Sequence, residues 1–170
     1  NKSLMENGRK KAAELGFKNM EFYAKDILDV SISGKIDLVV SLHACDLATD
    51  KALFFGLKHG ANNVLSVSCC QHSFKKKIRS ASHSSITKYK IFKDRMTYMV
   101  GDSMRALLME IEGYKTDLFE FVSSRSTDKN IMLRAKKAGI SKMTEARQEY
   151  ESLTNQFNAQ PELEHYIQNN

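Results

Sequence analysis

Along this chain the apolar positions follow two rhythms. Short continuous runs, Ile36-Asp37-Leu38-Val39-Val40 and Val64-Leu65-Ser66-Val67, read as buried strands, and between them apolar residues recur every three or four positions, as on one face of a helix. Lys2 to Leu15 predicts a helix with Leu4, Met5, Ala12 and Leu15 facing inward, stopped by Gly16 as a C-terminal cap. Met20 to Ala24 predicts a short strand ending at Asp26, and Ile36 to Leu42 a second. Leu47 to Leu57 predicts a helix closed by Gly60, followed by a strand over Asn62 to Val67. Further on come a helix over Ser103 to Ile111, a strand over Asp117 to Val122 and a last strand over Asn130 to Ala135. The tail is helical, because Met143, Ala146, Tyr150, Leu153 and Phe157 repeat at three- and four-residue steps until Pro161 breaks the pattern. Met96, Met99, Met104 and Met109 read as core filler. Strands alternating with helices mean an α/β fold with a largely parallel sheet.

Two of these strands run out into loops rich in reactive side chains. They are Ser41-Leu42-His43-Ala44-Cys45-Asp46 and Ser68-Cys69-Cys70-Gln71-His72, which hold all three cysteines and two of the five histidines. In an open parallel sheet, loops beyond neighbouring strand C-termini lie side by side, and that edge is where such sheets bind ligands. Asp46 stands where a cap for the following helix belongs. His43, Cys45, Cys69, Cys70 and His72 could in principle meet at a zinc ion, but the Cys-x-x-Cys spacing is missing, so no metal is expected. Vicinal Cys69-Cys70 makes a poor redox pair; packing by small thiols is the plain alternative.

The 170 residues are enough for one domain with a real core. No run of 18 apolar residues occurs, which excludes a transmembrane helix, and no secretory signal pattern opens the chain. Three cysteines, two of them adjacent, fit a reducing, cytoplasmic setting. Charge adds more, because it is uneven. Between Lys75 and Arg95 stand eight basic residues and one acid, Asp94, so this segment carries +7 of a total of +6. Tyr89 and Phe92 interleave with the cations, as on a surface that follows phosphates and stacks a base. A solvated loop and strand is the alternative. Lys75, Lys76, Lys77 and Arg79 are the expected RNA contacts.

The pattern Leu42-His43-Ala44-Cys45-Asp46, Ala48-Thr49-Asp50-Lys51-Ala52-Leu53, Gly60-Ala61 and Cys69-Cys70-Gln71 resembles one group of class I S-adenosylmethionine-dependent methyltransferases. That group carries a His-Ala-Cys-Asp loop and a Pro-Cys-Cys-Gln loop. The likeness extends back through Lys11-Ala12-Ala13-Glu14-Leu15-Gly16-Phe17 to Asp26-Ile27, and forward through Phe121-Val122-Ser123-Ser124 to Asn130-Ile131-Met132-Leu133-Arg134-Ala135. It implies a Rossmann-like fold, a parallel sheet with a C-terminal antiparallel strand. It implies a methyltransferase that uses S-adenosylmethionine, with RNA (rRNA or tRNA) the first expectation for substrate. Asp26 and Ile27 would contact the adenine, and Ser41, Leu42 and His43 would lie below the methyl end of the cofactor. His43, Cys69, Cys70 and Gln71 would face substrate as the catalytic group, with His43 placed to orient it or accept its proton. Ser68 stands where the group has proline, which predicts a less rigid loop.

A larger departure is an absence. The group opens with a strand, a Gly-x-Gly turn and a second strand ending in an acid, because the backbone must approach the cofactor closely and a carboxylate must accept from its ribose. No Gly-x-Gly occurs here, and the eight glycines are all isolated. The chain starts at Asn1, without Met, in a helical pattern, as the C-terminal part of a methyltransferase would. The expectation is a fold lacking its first two strands, with residues 1–140 as the methyltransferase part and 141–170 as a helical extension. The isolated chain should be inactive, and the strand from Ile36 should be a bare edge open to self-association. A non-catalytic interaction module that retains the fold is the rival reading.

Overall fold

The computed structural model describes residues 2–42, 44, 46–78, 83–139 and 143–169. They form two compact units, one ending at Ser33 and one beginning at Gly34. In the first, helix α1 (Lys2–Glu14) ends as its glycine predicts. Gly16 sits at φ +79°, and the Phe17 amide turns back to donate to the Ala12 carbonyl at 2.9 Å. Ala12 is the buried residue of this helix, whereas Leu4 and Leu15, expected inward, are each 61% exposed. Residues 20–24 form no strand. A strand exists only against a neighbour, and none pairs here; the Phe22 carbonyl is taken instead by the Arg9 guanidinium at 2.8 Å.

The second unit holds the sheet. Its strands are β1 (Leu38–Leu42), β2 (Asn63–Val67), β3 (Tyr114–Glu120) and β4 (Ile131–Lys137), in the order β1-β2-β4-β3. β2 runs parallel to β1, and β4 is antiparallel to both of its neighbours, so β1, β2 and β3 share one direction. This is the parallel sheet with a C-terminal antiparallel strand that the resemblance implied. Among the described residues β1 is paired on one side only, and it alternates strictly: Val39 and Ser41 are buried while Leu38, Val40 and Leu42 are exposed.

Among the described residues this unit has the helices α2 (Leu47–Lys58), α3 (His72–Lys77), α4 (Ser84–Thr87), α5 (Lys90–Ile111), α6 (Met143–Phe157) and α7 (Glu162–Gln168). Gly60, at φ +60°, ends α2, and close packing of α2 on β2 is set by Gly56, where a Cβ would stand 2.8 Å from Val64. Leu53, Val64, Val67, Met104, Met109 and Ala135 are completely buried. Helix α5 starts thirteen residues earlier than Ser103, and the basic segment read as loop and strand is helical through α3, α4 and the first turns of α5. The apolar residues Ile91 and Phe92 of those turns face water, so they carry no inward stripe for sequence reading to find. Met99, read as core, is 71% exposed. The tail is integral to this unit. Ala146, Tyr150 and Phe157 of α6 are buried, α7 packs on α2, and Leu163 is completely enclosed.

Candidate functional site

Leu42 and Val67 are register partners, so β1 and β2 end side by side and deliver their loops to the same edge. The loops are fastened together by one residue. The Asp46 amide donates to the Cys70 carbonyl at 3.0 Å, and the Asp46 carboxylate accepts from the Ser73 amide (3.1 and 3.0 Å) and hydroxyl (2.5 Å). Asp46 does not cap its own helix α2: its side chain makes no bond there. Held at φ 57°, ψ −117°, it caps the first turn of α3 across the gap. Such a conformation costs about 1–3 kcal/mol in a non-glycine residue and persists only where its surroundings over-determine it. Its bonds to Cys70 and Ser73 are what does so here.

Behind the second loop lies a buried polar network. Ser68 donates through Oγ to Asp102 Oδ1 at 2.7 Å and accepts from Gln71 Nε2 at 3.2 Å, while Gln71 Nε2 also donates to Asp102 Oδ1 at 2.9 Å. The loop expected to be loosened by serine is therefore pinned by it, because the hydroxyl gains a carboxylate partner on α5. Gln71 is pressed against that helix so closely that a Cβ at Gly101 would stand 2.0 Å from its Oε1. Arg105, 1% exposed, closes the network: Nε and Nη2 donate to Asp50 (2.6 and 3.2 Å), and Nη1 to Asp102 (3.3 Å). The Glu162 amide at the start of α7 donates to Asp50 as well, at 3.2 Å. Burial pushes the Asp102 carboxyl up from its ordinary range, and the pull of Arg105, Ser68 and Gln71 does not cancel this. For Arg105 burial works downward, but Asp50 and Asp102 outweigh it and hold the guanidinium above its usual value.

The residues expected to form the site are thus distributed as follows. His43 and Cys45, and Arg79 of the basic run, lie outside the described residues. Cys69 and Cys70 are half-buried thiols, with the Cys69 carbonyl accepting from Tyr98 at 3.1 Å. Gln71 is buried with its amide nitrogen spent on Ser68 and Asp102. Ser41 turns its hydroxyl into the buried face of β1, where it has no hydrogen-bond partner, and Leu42 points to the other face. In the first unit, Asp26 caps the turn Ile27–Asp29, accepting from the Leu28 amide at 3.1 Å; Ile27 is half-buried. Among the described residues no three His, Cys, Asp or Glu side chains stand together as a metal site. Lys75 pairs with Asp94, and Lys77 with Glu162 at 3.0 Å; Lys76 is exposed.

Sequence reading missed Asp50, Ser73, Asp102 and Arg105. The Asp102-x-x-Arg105 spacing on an otherwise apolar helix face was the available signal, since charges three apart on that face must pair if buried. It also missed a cavity of about 640 Å³ beside Gln71 and His72, walled by α3, α5 and the start of β4.

Residues 1–77 match the family model described as a methyltransferase domain. This part of the chain is similar to methyltransferase sequence. The match spans less than half of the 170 residues but includes both clamped loops, β1, β2 and α3. No curated protein and no solved structure matches the chain. The methyltransferase match stops at Lys77, so the α5 half of the buried network and most of the cavity wall lie beyond it.

The residues present do not by themselves fit S-adenosylmethionine. One Asp26 oxygen is committed to a turn, the Ser41 hydroxyl is turned into the buried face of its strand, and no glycine turn exists to admit the cofactor's backbone-facing side.

Proposed function

We propose that this chain serves S-adenosylmethionine-dependent methyl transfer to RNA, as the part of a methyltransferase that shapes the acceptor side. The carrying observation is that two loops of methyltransferase sequence are locked together by Asp46 at the C-terminal edge of the parallel sheet. The edge strand β1, unpaired on one side, and the missing glycine turn support a cofactor pocket completed by strands that this chain does not supply. When bound, the cofactor provides an electrophilic methyl group. The chain's own contribution is in-line positioning of the acceptor and, where the acceptor carries a proton, its removal by His43. Three cysteines, two of them standing side by side as thiols in the described loop, fit a reducing cytoplasm. No helix among the described residues is long and apolar enough to cross a membrane.

The test has two parts. Calorimetric titration of the 170-residue chain should detect no micromolar S-adenosylmethionine binding. The intact protein that carries it should move label from tritiated cofactor onto RNA. Micromolar binding by the chain alone would sink the divided-pocket reading. A second reading, a non-catalytic interaction module, is favoured by the engagement of Asp26 in a local turn and of Gln71 in the buried network; absence of any labelled acceptor from the intact protein would select it.

A further inference from the structure

The basic run contains more than the lysines that drew attention to it. Lys75 and Lys77 are engaged with Asp94 and Glu162. Other cations that line a concave surface come from α5 and the β3–β4 connection, where Lys129 pairs with Asp128 at 3.4 Å. The cavity of about 640 Å³ is lined by the cations Lys75, Lys90, Arg95 and Lys129, with Asp94 and Asp128 as its acids. Its apolar wall is Ile91, Met99 and Ile131, all exposed despite their size. A second cavity of about 530 Å³ shares His72 and Lys75 with the first and adds Lys76 and Lys93. The two together bring six lysines and arginines against two acids, a net of +4 with histidine neutral.

The local field agrees with this count. Asp94 is held below the usual carboxylate range, first by its bond from Lys75 and further by Lys90 and Lys129. The Lys129 ammonium lies 3.5 Å from the Tyr98 ring centroid, and that ring is in turn anchored through its hydroxyl to the Cys69 carbonyl. Burial tends to lower Lys129, yet Tyr98 and Asp128 keep it above its ordinary value, so the charge stays on at neutral pH. The cationic cleft is thus tied directly to the Cys69-Cys70-Gln71 loop.

An apolar wall with a cationic rim matches one ligand better than others. A nucleotide presents a flat base and an anionic phosphate, whereas an acidic peptide has charge but nothing for the wall. A duplex keeps its bases stacked inside and cannot offer one. We infer that this cleft holds an unpaired stretch of RNA, one base against Ile91, Met99 and Ile131 and its flanking phosphates on Lys90, Arg95, Lys129, Lys76 and Lys93. This rests on the RNA reading above and adds that the acceptor strand is single or locally opened, held by α5.

Fluorescence anisotropy with a fluorescein-labelled single-stranded RNA of about 12 nucleotides tests it, because site sizes for such binders run near that length. The double variant K90E/R95E should weaken binding at least about ten-fold and lower the slope of log affinity against log salt by roughly 1.4, two phosphate contacts for a single strand. K58E/K115E, with the same charge change on exposed positions away from the cleft, should weaken it far less. Met99→Asp, which buries a charge against a base, should also lose affinity. All these side chains are exposed, and unchanged circular dichroism confirms the fold. Equal affinity for a duplex of the same sequence, equal effects of the two double variants, or poly-glutamate competing as well as unlabelled RNA would overturn the cleft while leaving RNA as substrate open. No binding to either single strand or duplex would remove the RNA reading with it.

Discussion

Arg105 is the residue on which the second unit should depend most. Its guanidinium is 1% exposed and lies between Asp50 and Asp102. Arg105→Met preserves length and apolar stem but leaves two buried carboxylates without their cation. Asp50 then keeps the Glu162 amide, and Asp102 keeps Ser68 and Gln71, which are dipoles and not charges. Removing one partner of a buried pair costs about 3–5 kcal/mol, against about 0–1 kcal/mol for an exposed one. For a protein of this size each kcal/mol moves Tm by about 2–4 °C, so the variant should melt roughly 6–20 °C lower. The internal control is Arg134→Met. Arg134 pairs with Asp117 in the same chemistry, but both side chains are more than half exposed (56% and 53%). Chemical denaturation followed by circular dichroism measures both variants, and R105K adds a third point, since an ammonium cannot reproduce the two-pronged contact with Asp50. Similar losses for Arg105→Met and Arg134→Met would show that burial does not set the strength of this network.

Asp46→Ala should cost about 1.5–3 kcal/mol, the range for bonds to a charged group, and should speed amide hydrogen exchange at Ser73; protection unchanged there would mean the loops are not clamped through this residue. Asp102→Asn tests the raised carboxyl. A group whose folded pKa lies above its unfolded value stabilises fully below the unfolded pKa and loses this as pH rises through the folded one. The native chain should therefore gain on D102N as pH falls from neutral toward 4, and a pH-independent difference between the two would refute the raised value. Sedimentation should show concentration-dependent association through β1, relieved by Val40→Lys; a monodisperse native monomer would show that the one-sided strand is otherwise protected.

Much of the architecture was legible because its strands are short apolar runs, as at Val64–Val67, and its helices are closed by glycine, as at Gly60. The strand expected at Met20–Ala24 failed because a run of suitable residues is not a strand without a neighbour, and pairing is not written in local sequence. Helix α5 was read short since its first turns display Ile91 and Met99 to water. At the site, the nearness of the two loops followed from strand order alone. What holds them did not: Asp46 reaches Ser73 across 27 positions, and Ser68 meets Asp102 across 34. Both look like ordinary caps or loop residues until the partner is in place.

The buried network runs across the point where family likeness stops. Asp50, Ser68 and Gln71 lie before Lys77, while Asp102, Arg105 and Glu162 lie after it. A piece excised at that point would keep three buried polar groups and, apart from the bond from Gln71 to Ser68, lose the partners that neutralise or satisfy them, along with Met104 and Met109 from the core. The recognisable portion is therefore not a transplantable module. Asp50 bonds to Arg105 and Ser68 to Asp102, so a chimera made by joining the matched segment to a foreign C-terminal half should fail unless it carries its own cation opposite Asp50.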